Sequence, residues 1–312
     1  MSDEVVPLGA DLSAAARLGR AAILGRPWIE SRGPEIAEQY ESALRRGERL
    51  GALFRRDGVP VGVAVWQTHG PLGLSVNLLY LEPEVASLEA YDRFWRGLAS
   101  LEQRVVFAPG EIPGLSEEEE TRLMTGVGFA RFGRSEMRLA VGTILPDAPA
   151  RGHAFVRPVR PADASELARL HRVAYHGRFD RFLFLEDDDE AVDADRMVKD
   201  LFAGRWGEYS PEGSWALEEN GVLLGGVLST RRPDGVLIAD VMVDPGRQGE
   251  GLGTSVLVAA LRGLAGAGIQ PVFLNVTEGN DRAIRLYERI GFVRCLGPSR
   301  DWYDPHRIPA RP

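Results

Sequence analysis

Apolar residues in the second half of the chain follow two periods, one typical of strands and one typical of helices. Short apolar or alternating runs predict strands over residues 155–159, 214–217, 222–229, 236–243 and 272–276. Helical spacing predicts a helix after residue 161, a second after residue 251 and a third from Asp281 to Ile290. The first strands follow one another through a hairpin, and the later strands alternate with helices. This order predicts an α+β fold with its antiparallel part first.

Two short sequence features, used here as landmarks of this pattern, each occur twice along the chain. Turn-forming pairs lie at residues 57–58 (Asp-Gly) and 220–221 (Asn-Gly), 163 residues apart. A Gly-Phe pair follows a helical stretch at residues 128–129 and again at 291–292, also 163 residues apart. Because two separate landmarks share one offset, a duplication is the simplest explanation.

The boundary between the two copies is predicted from composition. Residues 145–152 lack periodicity and are rich in Pro, Gly and Ala, which is typical of a linker. We therefore expect one domain over residues 1–145, a linker over 146–151 with the boundary near Ala150, and a second domain over 152–312.

A glycine-rich segment follows the strand that ends at Val243 and precedes a helix. Its residues are Gln248, Gly249, Glu250, Gly251, Leu252 and Gly253. Bare amides at a helix N-terminus attract anions such as phosphate. A P-loop would need Lys and Ser or Thr where this chain has Leu252 and Gly253, and a dinucleotide fingerprint would need glycine at Thr254. Both are disfavoured, and the pattern Q/R-x-x-G-x-G/A fits without adjustment.

A second motif, N-x-x-A-x-x-hydrophobic-Y-x-x-x-G-F, lies on the last predicted helix. Its positions are Asn280, Ala283, Leu286, Tyr287, Gly291 and Phe292. With the glycine segment, it makes residues 152–312 resemble the GNAT acetyltransferase superfamily. The resemblance implies two tandem domains of that fold, each a mixed, mostly antiparallel central sheet flanked by helices.

The resemblance also implies acetyl-CoA as co-substrate, with its pyrophosphate on the amides of the glycine loop. The implied cofactor-binding residues are Met242, Val243, Gln248, Gly249, Glu250, Gly251, Leu252, Gly253, Thr254, Asn280, Ala283 and Tyr287. Asn280 is expected to contact the CoA arm, and Tyr287 to protonate the departing thiolate. A phenol held near the sulfur is a suitable general acid. The alternative for Tyr287 is core packing beside Ile284 and Ile290.

At the positions where the superfamily carries its general base, this chain differs from the superfamily pattern. Acetyl transfer needs a neutral amine, so a group, usually a carboxylate, must take a proton from the acceptor. Where members of the superfamily carry a glutamate, this chain has Leu237 or Asn275. We expect Asp240 to act as the catalytic base, because it lies on the strand that borders the cleft. Glu278 and water are the alternatives.

The first half keeps the order of elements without this chemistry. By the 163-residue offset, Glu117 stands in place of Asn280 and Met124 in place of Tyr287. Residues 84–89 occupy the place of the glycine loop and are bulky and anionic. The first half is therefore expected to be a degenerate copy, as occurs in tandem proteins of this superfamily.

The predicted function is an N-acetyltransferase that moves acetyl from acetyl-CoA directly to a primary amine, expected to be that of a small molecule. Cys295 lies outside both motifs, so no covalent nucleophile is expected. The acceptor stays open among a small amine, an aminoglycoside, a cysteinyl sugar and a protein N-terminus. The rival is a non-catalytic acyl-CoA sensor or assembly module, which would not need Tyr287.

The composition of the chain limits the classes of partner that it is expected to bind. The 312 residues are 44% apolar and 26% charged, as in ordinary globular proteins, and the net charge of −8 opposes binding to nucleic acid. The acidic N-terminus and the lack of a long apolar run disfavour export and a membrane partner, so a cytoplasmic location is expected. His171 and His176 are five residues apart and do not share a helix face, so no metal site is expected. The oligomeric state is left open.

Two weaker features lie near residue 185. The acidic residues 186–190 fit a site for a cationic amine or a solvated helix start. Phe179, Phe182 and Phe184 fit a substrate wall or core packing.

Overall fold

The computed structural model describes residues 2–25, 33–48, 50–101, 104–140, 143–147 and 154–312. The chain divides into two compact units. The first contains Met1–Phe132 and Arg300–Pro309, and the second contains Gly133–Ser299 and Ala310–Pro312. In the described part of the chain, no helix combines the length and apolar character needed to cross a bilayer.

Fourteen strands are described. They are β1 (Asp3–Pro7), β2 (Leu50–Arg56), β3 (Val59–His69), β4 (Gly73–Leu81), β5 (Val105–Ala108), β6 (Ala130–Phe132), β7 (Arg134–Leu139), β8 (Phe155–Pro158), β9 (Trp215–Glu219), β10 (Val222–Arg232), β11 (Gly235–Val243), β12 (Val272–Thr277), β13 (Phe292–Leu296) and β14 (Asp301–Tyr303). The strands predicted for the second half all occur, with ends shifted by a few residues.

The described helices accompany these strands in both units. They are α1 (Leu12–Leu24), α2 (Gly33–Arg45), α3 (Leu88–Ser100), α4 (Glu117–Gly126), α5 (Ala164–Tyr175), α6 (Phe179–Phe182), α7 (Glu190–Phe202), α8 (Leu252–Gly266) and α9 (Asp281–Ile290). The predicted limits of α9 are confirmed: Asn280 caps its start with its side chain, and Gly291 ends it at φ 111°.

Each unit is built on one seven-stranded sheet. The strand orders are β1-β2-β3-β4-β5-β14-β6 and β8-β9-β10-β11-β12-β7-β13. The neighbours β4–β5 and β11–β12 are parallel, and the other described pairs are antiparallel. The predicted α+β class with mixed, mostly antiparallel sheets is therefore confirmed.

The repeat extends to irregularities of the backbone. The turn residues Asp57 and Gly58 have φ of 50° and 80°, and Asn220 and Gly221 have 53° and 82°. Left-handed φ at both central residues is the requirement of a type I′ hairpin turn. An extra residue also interrupts the pairing of β4 with β3, at residue 77, and of β11 with β10, at residue 239. These two β-bulges are 162 residues apart, so the copies share their distortions as well as their order of strands.

The last strand of each copy lies in the sheet of the other copy. Strand β7 runs between β12 and β13, and β14 runs between β5 and β6. Met137 of β7 is fully buried in the core of the second unit, and Trp302 of β14 is buried in the core of the first. The expected ranges 1–145 and 152–312 thus differ from the observed units, because they separate both strands from their sheets. Most of the expected linker, including Ala150, lies outside the described residues.

Helices cover both faces of the second sheet. One core cluster packs α8 and α9 against it, and another packs α5 and α7. Neighbouring residues of β10, Val227 and Leu228, belong to different clusters, so the clusters lie on opposite faces. The ends of β11 and β12 lie between these layers.

Candidate active site

A cavity of about 620 Å³ lies in the second unit, where β11 and β12 separate. Their parallel pairing ends at Ile238 and Leu274, although the strands continue to Val243 and Thr277. The last residues of both strands line the cavity. The gap in the sheet therefore gives a ligand access to the layer between the helices.

The glycine loop forms one wall of this cavity. Gly249 and Gly251 have φ of 94° and 83°, a conformation that other residues rarely adopt. Gly251 is the N-cap of α8 and provides no side chain to bond the first amides of the helix. The first-turn amides, on Leu252, Gly253 and Thr254, have no carbonyl partner within the helix and are suited to an anion.

Ion pairs hold this loop in place. The Arg247 guanidinium donates to Glu250 through Nε at 2.8 Å and Nη2 at 2.9 Å, and to Glu219 on β9 through Nη1 at 2.7 Å. Arg282 on α9 donates to the side-chain oxygen of Gln248. The loop is thus tied to the sheet and to α9, and the charge of Glu250 is compensated within the protein.

The corresponding region of the first unit is filled by the protein itself. The Ser87 hydroxyl caps α3 by accepting from the Ala90 amide at 3.2 Å. The fully buried Tyr91 hydroxyl accepts from the amide of Leu81, at the end of β4, and donates to the Pro113 carbonyl, at 3.0 and 2.8 Å. A helix start already capped and a strand end already bonded leave few groups for a phosphate or a pantetheine chain.

Tyr287 projects from α9 into the cavity. Its side chain is mostly buried, and its ring lies edge-on to Phe292 with centroids 6.0 Å apart. Burial, and then the charges of Asp240 and Asp180, raise the pKa of Tyr287 well above that of a free phenol. The hydroxyl therefore keeps its proton at neutral pH and is a hydrogen-bond donor.

The bulge in β11 determines where Asp240 points. Leu228 pairs with Asp240 and Ser229 with Ile238, so Ala239 is the extra residue and the alternation of faces shifts by one position. Asp240 thereby turns toward α5, where its Oδ2 lies 2.8 Å from Nδ1 of His171. Its Oδ1 accepts a hydrogen bond of 2.7 Å from the hydroxyl of Tyr175 on α5.

Glu278, the other carboxylate considered as a base, lies in a different setting. The Ser135 hydroxyl donates to it at 2.6 Å, and Arg294 forms an ion pair with it. Arg294 and Ser135 lower the pKa of Glu278. Glu278 is not among the described residues that line the cavity. Of the two carboxylates considered as a base, Asp240 is therefore the one that lines the cavity.

Most of the cofactor residues expected from sequence meet at the cavity. Those that line it are Val243, Gln248, Gly249, Gly251, Leu252, Gly253, Thr254, Asn280, Ala283 and Tyr287. Met242 and Glu250 are not among the described residues that line it. Met242 is fully buried in the core beside α5, because the bulge turns its side chain to that face.

Sequence reasoning missed His171, Tyr175 and Asp180, which also line the cavity. His171 and Tyr175 are four residues apart on α5 and so share one face. That spacing is visible in the sequence. The contact of this face with Asp240 is not visible in the sequence, because it depends on the bulge at Ala239.

The acidic segment near residue 185 is the start of α7. The Asp189 side chain caps the helix through the amides of Ala191 and Val192. Asp193 accepts from the amides of Glu186 and Asp187 at 3.0 and 3.2 Å. These carboxylates therefore organise the backbone. Of the nearby aromatic residues, Phe179 is buried and Phe184 lines the cavity.

Comparison with known proteins agrees with this geometry. Residues 171–292 match the model of the acetyltransferase (GNAT) family. The resemblance carried by the two motifs is therefore confirmed over these residues.

Curated relatives include two mycothiol acetyltransferases. That of Mycobacteroides abscessus is 30% identical over 198 residues, which are 61% of either chain. That of Parafrankia sp. is 29% identical over 215 residues, 61% of this chain and 62% of the relative. The chain thus spans about three fifths of the length of these relatives.

Solved structures share the fold over nearly the whole chain. A GCN5-related N-acetyltransferase from Sphaerobacter thermophilus has a TM-score of 0.60 and 18% identity, covering 96% of this chain and 94% of its own. A tandem GNAT protein from the clavulanic acid biosynthesis pathway has a TM-score of 0.53 and 17% identity, covering 96% and 98%. Both units are therefore GNAT-like in fold.

Proposed function

We propose that the second unit transfers the acetyl group of acetyl-CoA to a primary amine of a small molecule. The observation that carries this proposal is the meeting of three kinds of group in one cavity. The glycine loop offers amides to an anion, Tyr287 offers a protonated phenol, and Asp240 lies beside the imidazole of His171. Anion binding, acid and base are the requirements of direct acetyl transfer.

The residues present suit a CoA ester. The amides from Gly249 to Thr254 would hold the pyrophosphate, and the left-handed φ of Gly249 and Gly251 requires residues without a side chain at these positions of the loop. Arg282, Arg285 and Arg289 on α9 line the same cavity and add positive charge for phosphate groups. When bound, the thioester supplies an activated acetyl carbonyl.

Tyr287 has the role of a proton donor in this proposal. Transfer forms a C–N bond to the acceptor and breaks the C–S bond of the thioester, leaving the electron pair on sulfur. Because its raised pKa keeps the Tyr287 hydroxyl protonated, it can donate to that sulfur as the bond breaks. Asp240 supplies the negative charge that favours removal of a proton from the acceptor ammonium.

The acceptor class follows from the relatives. Because the curated relatives are named mycothiol acetyltransferases, we expect this chain also to act on a small-molecule amine. The lining of the cavity includes both cations, such as Arg134 and Arg178, and carboxylates, such as Asp180. This mixture suits an acceptor that carries several polar groups beside its amine.

A panel of amines tests this function. The panel contains glucosamine, kanamycin, a cysteinyl amino sugar with a blocked thiol, and an unblocked tripeptide. We expect the protein to release CoA thiol from acetyl-CoA in the presence of one of these amines. Mass spectrometry should find one acetylated amine per thiol released. Binding of acetyl-CoA without acetylation of any panel member would contradict the proposal and favour an acyl-CoA sensor.

A further inference from the structure

We propose that His171 is the group that takes the proton from the acceptor amine and that Asp240 is a positioning residue acting through it. This inference rests on the acetyltransferase function proposed above and assigns the base within that site. The sequence pointed to Asp240 as the base; the hydrogen bonds around Asp240 assign the contact with the amine to its neighbour.

Both oxygens of Asp240 already accept hydrogen bonds. Nδ1 of His171 lies 2.8 Å from Oδ2, and the hydroxyl of Tyr175 lies 2.7 Å from Oδ1. An ionised carboxylate can only accept, so the Nδ1 atom must carry the proton of the imidazole. The lone pair of a neutral ring is then on Nε2, which is the atom able to accept a proton.

The side chain of His171 is more exposed to solvent than that of Asp240. The side chain of Asp240 is 3% exposed and that of His171 is 13% exposed, and both line the cavity. The imidazole is therefore the more accessible of the two groups to an acceptor amine that enters from solvent.

Tyr175 fixes the orientation of the ring. It lies one helical turn after His171 on α5. The centroids of the two rings are 4.6 Å apart, and the interplanar angle is 33°. Burial and the charge of Asp240 raise the pKa of Tyr175, so its hydroxyl remains a donor to Asp240. The imidazole is thus held by a ring contact on one side and by a carboxylate at Nδ1.

The titratable side chains around His171 come from several elements of the second unit. The titratable groups that face it are Tyr175 on α5, Arg181 on α6, Glu190 and Asp193 on α7, and Asp240 on β11. Arg181 and Glu190 form an ion pair of 3.3 Å, and Asp193 is paired with Arg196 at 2.8 Å. Asp240 is therefore the carboxylate in direct contact with the ring.

The protons balance as follows. The acceptor ammonium gives one proton to Nε2 of His171, which later releases it to solvent. The nitrogen lone pair forms the C–N bond with the acetyl carbon, and the electrons of the broken C–S bond stay on sulfur. The second nitrogen proton replaces the one that Tyr287 delivers to sulfur, so the products are the amide, CoA thiol and one released proton.

Replacing the imidazole tests the proposal. With the panel amine of highest kcat/KM, His171→Ala should lower kcat/KM by about 100-fold or more, while the Kd of acetyl-CoA changes less than twofold. Added imidazole should restore part of the activity, because a free base can enter the space left by the side chain. A purely structural role of His171 would not give this rescue.

His176 provides the matched control. Its Nδ1 also lies near a carboxylate, 2.9 Å from Oε2 of Glu190, but its side chain is 73% exposed and it is not among the described residues lining the cavity. His176→Ala should leave kcat/KM within twofold and show no response to imidazole.

The tautomer of His171 gives a readout that does not depend on turnover. Nitrogen-15 NMR of the full chain should show the proton on Nδ1 and a bare Nε2, and Asp240→Asn should alter that signal. A protonated Nε2 in the neutral ring, or an active His171→Ala variant, would overturn this proposal and leave the acetyltransferase function standing. A wild-type chain that acetylates no amine would overturn both.

Discussion

Replacing Tyr287 by phenylalanine should lower kcat by roughly 10- to 1000-fold and leave the affinity for acetyl-CoA almost unchanged. The substitution removes one hydroxyl from a ring that is mostly buried and packed beside Phe292, so the shape of the site is kept. What is lost is the proton donor next to the departing sulfur. Steady-state thiol release gives kcat, and calorimetry gives the Kd.

A buried phenol in the first unit provides the control for this substitution. Tyr40 is buried, and its hydroxyl donates to the Ala15 carbonyl at 3.1 Å. Tyr40→Phe should cost about 1 kcal/mol of stability and leave kcat unchanged. If Tyr287→Phe behaves in the same way, Tyr287 packs the core and does not take part in transfer.

Removing β7 should abolish folding of the second unit. We expect residues 133–299 to unfold cooperatively and to bind acetyl-CoA, and residues 152–299, which differ by the loss of β7 and the segment after it, to do neither. Circular dichroism on heating and calorimetry with acetyl-CoA measure the two properties.

The reason for this large effect is the position of β7 in the sheet. It pairs with β12 through five residues and with β13 on its other side. Without it, β13 loses the strand that it pairs with, β12 becomes an edge strand, and the fully buried Met137 side chain is removed from the core. Equal stability and affinity for the two fragments would show that β7 does not complete this sheet.

Much of the site could be predicted from sequence because its chemistry is local. The glycine loop and the α9 motif are short runs whose residue types are required by backbone conformation or reaction, such as left-handed φ at Gly249 and Gly251. The elements that carry them follow from hydrophobic period, so the loop and Tyr287 were found in advance.

The exchange of strands could not be predicted in this way. Strands β7 and β14 occupy equivalent positions in the two sheets, each lying between the fifth strand of one copy and the strand that begins at or just after its Gly-Phe pair. A repeat shows that a strand exists without showing which copy it joins. The expected boundary near residue 150 was based on composition, which does not show which sheet a strand joins.

The neighbours of Asp240 could not be predicted for a different reason. A β-bulge adds one residue to a strand, and this one does not require a particular residue type. The alanine at position 239 therefore does not reveal the bulge in the sequence. That extra residue turns Asp240 toward His171 and Tyr175. The sequence therefore pointed to the carboxylate and missed the imidazole bonded to it.

Titration of acetyl-CoA into the full chain by calorimetry tests whether the glycine loop of the second unit is the cofactor site. We expect one site per chain, lost in Gly251→Trp, because a side chain at Gly251 is strained at φ 83° and a bulky one competes with the ligand for the space beside the loop amides. Gly47→Trp, which changes an exposed glycine of the first unit with φ 70°, should bind as the wild type does. Two equivalent sites, or a single site that survives Gly251→Trp, would show that this loop does not hold the cofactor.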